Sequence, residues 1–211
     1  IKSVVVALAA LGILFFMHYR SAKKTSSEQQ TLRLGISADN TPFTFVKDGA
    51  FVGFEIDLAH ALTSQMKCSL EILDLDFGGL IPAVKNDVVD IVISGFNITE
   101  ERKKNVAFSD PYYFGKTGVV AHETIKSAAD LAGKRIGVQH GSIWEDEAKS
   151  IAAAQSDVEV VGFHRINQIV QELEQATIDA IVIETTVAQQ ILESHSHFKV
   201  SSIPSYTDQA G

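Results

Sequence analysis

Residues 88–102 read Val-Val-Asp-Ile-Val-Ile-Ser-Gly-Phe-Asn-Ile-Thr-Glu-Glu-Arg. An apolar, β-branched run broken only at Asp90 predicts a strand buried on both faces, as in a parallel sheet. It ends in polar Ser94, and Gly95 offers a turn. Thr99 is a good N-cap, which makes Arg102 the N3 residue of a following helix. The same grammar returns at residues 179–184, Asp-Ala-Ile-Val-Ile-Glu, where an apolar strand again ends in a polar residue, Glu184.

Working outward, each of these strands closes an alternating series. Leu32, Leu34 and Ile36 predict a strand, and Phe54, Leu58, Leu62 and Met66 place one apolar stripe on a helix. Residues 69–73 predict a second strand and residues 80–84 a short helix. The later series has strands at residues 135–138 and 158–161. Its helices carry Trp144, Ala148, Ile151 and Ala152 on one face, then Ile166, Ile169, Val170 and Leu173 on another. This predicts an α/β fold in two halves, each a sheet covered by helices. The chain crosses between them near residues 116–120, and a return crossing is expected near residues 199–206. Ligands in such sheets bind beyond the carboxyl ends of the strands, where Asn40, Ser94, residues 139–142 and Glu184 fall. These groups line one cleft if the two halves face each other.

The 211 residues are 45% apolar and 21% charged, enough for a sizeable core and unlike a disordered chain. Residues 4–17, VVVALAALGILFFM, form an uninterrupted apolar run flanked by basic residues. It matches the core of a secretory signal and is short for a membrane span. Residues 1–24 are therefore expected to be a signal peptide or an uncleaved anchor, and residues 25–30 a tether. Either fate puts the rest in the periplasm or on the outer face of the cytoplasmic membrane. Setting aside the four basic and one acidic residue of residues 1–30 leaves 14 basic against 25 acidic, a charge of −11. That acidity argues against a nucleic-acid partner. The lone Cys68 excludes an intramolecular disulfide, and the seven histidines form no close metal motif. No nucleophile elbow or zincin pattern is present.

Three features bear on binding. Arg102 near a helix N-terminus opposes the dipole unless an anion is close, and its rigid fork suits a carboxylate; pairing with Glu101 or Asp110 is the other reading. Gly141-Ser142 before a helix, with Glu145 at capping-box spacing, is a helix start that can also meet an anion. Glu184, ending an apolar strand, needs a partner; it either holds an ammonium group or caps the helix starting near Thr185. Phe77, beside Gly78-Gly79, is the phenylalanine best placed for a cleft wall.

Taken together these residues resemble the periplasmic solute-binding proteins of polar amino-acid ABC transporters, bacterial extracellular solute-binding protein family 3. The similarity runs from about Leu32 to Ile203. Its motifs are residues 52–58 (VGFEIDL), 79–83 (GLIPA), 98–102 (ITEER), 108–112 (FSDPY), 136–142 (IGVQHGS) and 179–182 (DAIV). The resemblance implies a type II two-lobed Venus-flytrap fold, with lobe 1 over residues 31–118, lobe 2 over 119–200 and the start of the return crossover at 201–211. It implies that the C-terminal part of lobe 1 is missing from this sequence. By the same resemblance Arg102 clasps a ligand α-carboxylate, assisted by Asn97, Ser142 and backbone groups near Ser94 and Gly95. Glu184 stands where the family usually has aspartate and meets the α-ammonium. Phe77 is a pocket wall, and Asn40 replaces a frequent aromatic. The implied function is binding a free polar or basic amino acid, which Asp39 permits, and delivering it to an inner-membrane permease. A monomer without metal, cofactor or catalysis is expected. An amino-acid-sensing input domain, or a dehydratase-like or wall-lyase-associated enzyme, is the alternative on the same fold.

Overall fold

The computed structural model describes residues 30–202; the segment expected to be a signal or anchor, most of the expected tether and residues 203–211 lie outside them. Strand β1 (Thr31–Ile36) is the centre of a parallel three-stranded sheet, between β5 (Ser69–Asp74) and β6 (Ile91–Val92). A small antiparallel sheet of β2 (Asp39–Asn40), β3 (Thr44–Lys47) and β4 (Ala50–Val52) leads into helix α1 (Phe54–Met66). Helix α1 buries Ile56 and Ala59 against Leu34, Ile36 and Ile93 of the sheet. Phe54, Leu62 and Met66, expected on its inner stripe, are instead solvent-facing among the described residues. Helix α2 (Leu80–Lys85) buries Leu80 and Ala83, and α3 (Glu100–Lys103) is a single turn.

The second lobe is a five-stranded sheet. Its strands are β7 (Thr117–Ala121), β8 (Arg135–Gln139), β9 (Glu159–Phe163), β10 (Ala180–Glu184) and β11 (Lys199–Ser201), in the order β11-β7-β10-β8-β9. Strands β8, β9 and β10 are parallel, whereas β7 runs antiparallel to both β10 and β11. Helices α4 (Ile143–Ala154), α5 (Ile166–Glu174) and α6 (Thr185–Ser194) cover it. The apolar period of α5 is clean: Ile166, Ile169, Val170 and Leu173 are all buried. Phe43, from the turn between β2 and β3, packs with this second core, its ring edge-on to Tyr113 at 4.8 Å.

The strand expected from Val88 is shorter than its apolar run. Ile91 and Val92 pair with β1, and at Asp90 the carboxylate takes the Arg33 N–H that a strand carbonyl would otherwise accept. Val89 is nevertheless buried, and Val88 faces solvent. No helix among the described residues is long and apolar enough to cross a membrane.

Candidate functional site

The carboxyl ends of β1, β6, β8 and β10 converge on one cavity of about 830 Å³, solvent at its mouth included. Seven of the eight expected residues line it: Asn40, Phe77, Ser94, Gly95, Asn97, Ser142 and Glu184. The two halves therefore face each other across a shared space. Arg102 is the exception and stands behind that wall.

Thr99 caps α3 through its hydroxyl, which accepts the Arg102 N–H at 3.2 Å, so the expected N-cap geometry is present. The Arg102 guanidinium lies over the Phe96 ring at 4.8 Å and the Phe77 ring at 5.9 Å, themselves stacked at 4.2 Å. Nη1 donates to the Asn97 carbonyl at 2.7 Å, and Nη2 donates across the lobe boundary to the Gly141 carbonyl at 2.8 Å. Neither Glu101 nor Asp110 pairs with it; Glu101 pairs with Lys104. Burial lowers the Arg102 pKa to about 10, partly offset by the Asp146 charge, so the group stays cationic at neutral pH. These two bonds use one N–H on each terminal nitrogen, so three of the five guanidinium N–H groups have no protein acceptor among the described residues.

Of the two roles open to it from sequence, Glu184 fills the helix cap. As the N-cap of α6, its Oε2 accepts the N–H groups of Thr186 at 2.6 Å and Val187 at 3.1 Å. Its Oε1 accepts the hydroxyls of Thr185 at 2.9 Å and Tyr113 at 3.2 Å, on the cavity side. The Lys116 N–H also points at Oε1, at 3.5 Å, so both carboxylate oxygens are engaged by neutral donors. The Ser142 hydroxyl is more committed: it donates to the Gln139 carbonyl at 2.7 Å and accepts from the Glu145 N–H at 3.3 Å. Glu145 does not close the capping box. Its carboxylate takes the Gly141 N–H at 2.8 Å and the Lys149 ammonium at 2.7 Å instead. Gly95 N–H is likewise engaged, donating to Glu55 at 2.7 Å.

The cavity also holds groups whose place sequence reasoning did not foresee. Glu55 is fully buried in the first turn of α1 and accepts from Gly95 N–H, the Tyr112 hydroxyl at 2.6 Å and the Thr44 hydroxyl at 2.6 Å. Three donors make it a brace for the loop after β6. Burial beside that carboxylate pushes the Tyr112 phenol far up, so it remains a donor. Asp39 lies deep in the wall, accepting the Ser37 hydroxyl at 2.9 Å and, from the other lobe, Ile166 N–H at 2.5 Å. Burial raises its carboxyl above the ordinary range, against the opposing pull of those hydrogen bonds and of Arg165. Tyr113 and Trp144 complete the aromatic surface. The available signals were an acid in the first turn of a helix at Glu55 and the Pro111-Tyr112-Tyr113 run. Among the described residues no group of three His, Cys, Asp or Glu side chains is arranged to hold a metal ion.

Residues 32–182 match the family described as bacterial extracellular solute-binding proteins, family 3. The chain is 36% identical to the arginine-binding extracellular protein ArtP of Bacillus subtilis (strain 168), over 96% of this chain and 81% of the relative. It is 34% identical to ABC transporter arginine-binding protein 1 of Escherichia coli (strain K12), over 84% of this chain and 72% of the relative. Among solved structures, an ancestral arginine-binding protein bound to arginine superposes with a TM-score of 0.78 at 39% identity, covering 82% of this chain and 78% of that one.

Proposed function

The chain belongs to the bacterial extracellular solute-binding proteins, family 3, and from that premise we propose that it binds a free basic amino acid, of the arginine type, between its lobes and passes it to an ABC-transporter permease outside the cytoplasmic membrane. The observation that carries this reading is one cavity with the carboxylates of Asp39 and Glu184 in its wall and the half-used guanidinium of Arg102 behind it. A basic amino acid has two cations and one anion. Arg102, in the lobe of residues 31–118, would meet its α-carboxylate. Glu184, in the lobe of residues 119–200, would meet its α-ammonium, with Asp39 left for the side-chain cation. Asn97, the Ser94 hydroxyl and the Phe77 ring would frame the ligand, while Ser142, already committed, would chiefly hold α4 in place. The arginine binding in the names of the Bacillus and Escherichia relatives supports the same ligand class.

No bond is made or broken in this scheme. A ligand that touches both lobes draws them together by its preference for the closed form, and excluding water strengthens each charged contact. Titration calorimetry with L-arginine, L-lysine, L-histidine and L-glutamine tests it. Arginine is expected to bind, and Arg102→Ala to weaken it by about a hundredfold or more; undiminished binding in that variant overturns the assignment. Asp39→Asn is expected to weaken arginine and lysine while sparing glutamine. Because the Asp39 carboxyl is raised, its protonation begins above the ordinary carboxylate range. Arginine affinity should therefore fall as pH drops into that window, and the Asp39→Asn variant should lose this pH dependence.

A further inference from the structure

Beyond the cavity the lobes meet at a second set of charges. Arg165 is the N-cap residue of α5 in the second lobe, and its guanidinium reaches the first. Nη1 donates to Asp74 at 2.7 Å and Nε to Asp76 at 3.0 Å. Asp74 ends β5, and Asp76 caps the short turn at Phe77–Gly79. The oxygen of Asp74 that meets Arg165 is also fixed from its own lobe, by the Ala38 N–H at 3.0 Å. The residue after Arg165 donates its backbone N–H to Asp39, so one dipeptide of the second lobe is set among three carboxylates of the first. None of Arg165, Asp74 and Asp76 lines the cavity.

Three carboxylates at one rim repel one another when no cation is near. Arg165 answers two of them with one charge-assisted hydrogen bond each. The side chains are 27%, 34% and 50% exposed for Arg165, Asp74 and Asp76, so the contact is screened and modest. It forms only when the lobes are close, and it stands outside the cavity wall, where its charge is felt by Asp39.

We propose that Arg165 is a positioning residue that, by clamping Asp74 and Asp76 across the lobe boundary, sets how far apart the lobes stand whichever amino acid occupies the cavity. The clamp adds the same closing preference for every basic ligand, so it slows release and leaves the choice between arginine and lysine unchanged. Its effect on release rests on the binding function proposed above; its effect on lobe spacing does not.

Two variants of the whole chain test this, Arg165→Met and the pair Asp74→Asn with Asp76→Asn. The second leaves α5 and the arginine untouched, which guards against a folding defect in the first. Small-angle X-ray scattering without amino acid is expected to give a larger radius of gyration for both variants than for the parent protein. Stopped-flow release of L-arginine is expected to be about three- to tenfold faster in both, with the ratio of arginine to lysine affinity unchanged. Raising the salt should shrink the gap between parent and variants. Unchanged scattering together with unchanged release overturns the proposal. So does an altered arginine-to-lysine ratio, which would put Arg165 inside the recognition site. If the parent protein binds none of the amino acids, the binding function falls, and the scattering comparison still decides the clamp.

Discussion

One strand of each lobe carries the same device, Arg33-Leu34-Gly35 in β1 and Arg135-Ile136-Gly137 in β8. Each arginine N–H donates to an aspartate beside the closing strand, Asp90 at 2.8 Å and Asp179 at 2.7 Å. Each aspartate N–H returns to the arginine carbonyl at 2.8 Å. Both arginines face a glutamate on the neighbouring strand, Glu71 and Glu159. The guanidinium groups then part company. Arg33 forks onto Asp90 with Nε at 3.1 Å and Nη2 at 2.6 Å, whereas the Nε of Arg135 turns to Glu159 at 3.1 Å. One arginine thus secures a single strand joint, and the other ties the aspartate joint and β9 together. A repeated backbone clamp fixes the sheet register in both lobes, while the side chain is free to serve the local sheet.

The sharpest way to break this parallel is at the paired glycines. A Cβ on Gly137 would stand 2.5 Å from Ile178 Cδ1 and 2.6 Å from Ile169 Cγ2, inside a packed core. Gly137→Ala should cost about 3 kcal/mol in urea unfolding. On Gly35 the nearest atoms would be Leu80 Cδ2 at 3.0 Å and Val92 Cγ2 at 3.2 Å, side chains that can give a little. Gly35→Ala should cost about 1 kcal/mol. Equal losses at the two sites would mean that the lobes are packed alike at this position.

The helix caps give a smaller contrast. Ser142 caps the twelve-residue α4 and Thr99 the four-residue α3. Ser142→Ala should lower stability by about 1 kcal/mol, and Thr99→Ala by about 0.5 kcal/mol. Thr99→Ala should still weaken arginine binding in calorimetry, since the cap orients Arg102.

The smallest effect is at the clamp itself. Hydrogen bonds from Arg33 lower the Asp90 pKa to about 2, from an ordinary 3.8. A carboxyl lowered on folding contributes stability above its unfolded pKa and loses it as pH falls through the folded value. Asp90→Asn should therefore lower the thermal midpoint slightly at pH 5 to 7, and the gap should close between about pH 4 and pH 2. A gap that persists below pH 2 would show that the carboxylate charge is not what the clamp uses.

Much of this was legible from periodicity and caps. The apolar spacing located α5 and the strands β1, β8 and β10, because burial on a sheet or helix imposes its own period on the chain. Thr99 and Ser142 announced the starts of α3 and α4. The apolar spacing of α1 misled in part, since it marks three of its residues as inward that the fold leaves exposed. Glu55 and Tyr112 were harder: they are 57 residues apart, and only packing makes one the donor and the other the acceptor.

From the chain alone came the α/β alternation in two halves, the polar strand ends at Ser94 and Glu184, and Arg102 at a helix start. Those are local properties, fixed by residues within a few turns of each other. Tertiary structure alone decided that Arg102 stands behind the Phe77–Phe96 stack and reaches Gly141, that Asp39 accepts the Ile166 N–H, and that Arg165 spans Asp74 and Asp76. The contacts with Gly141, with Ile166 and from Arg165 join residues dozens of positions apart in different lobes, and no spacing rule reaches that far, because they depend on how two sheets come to face each other.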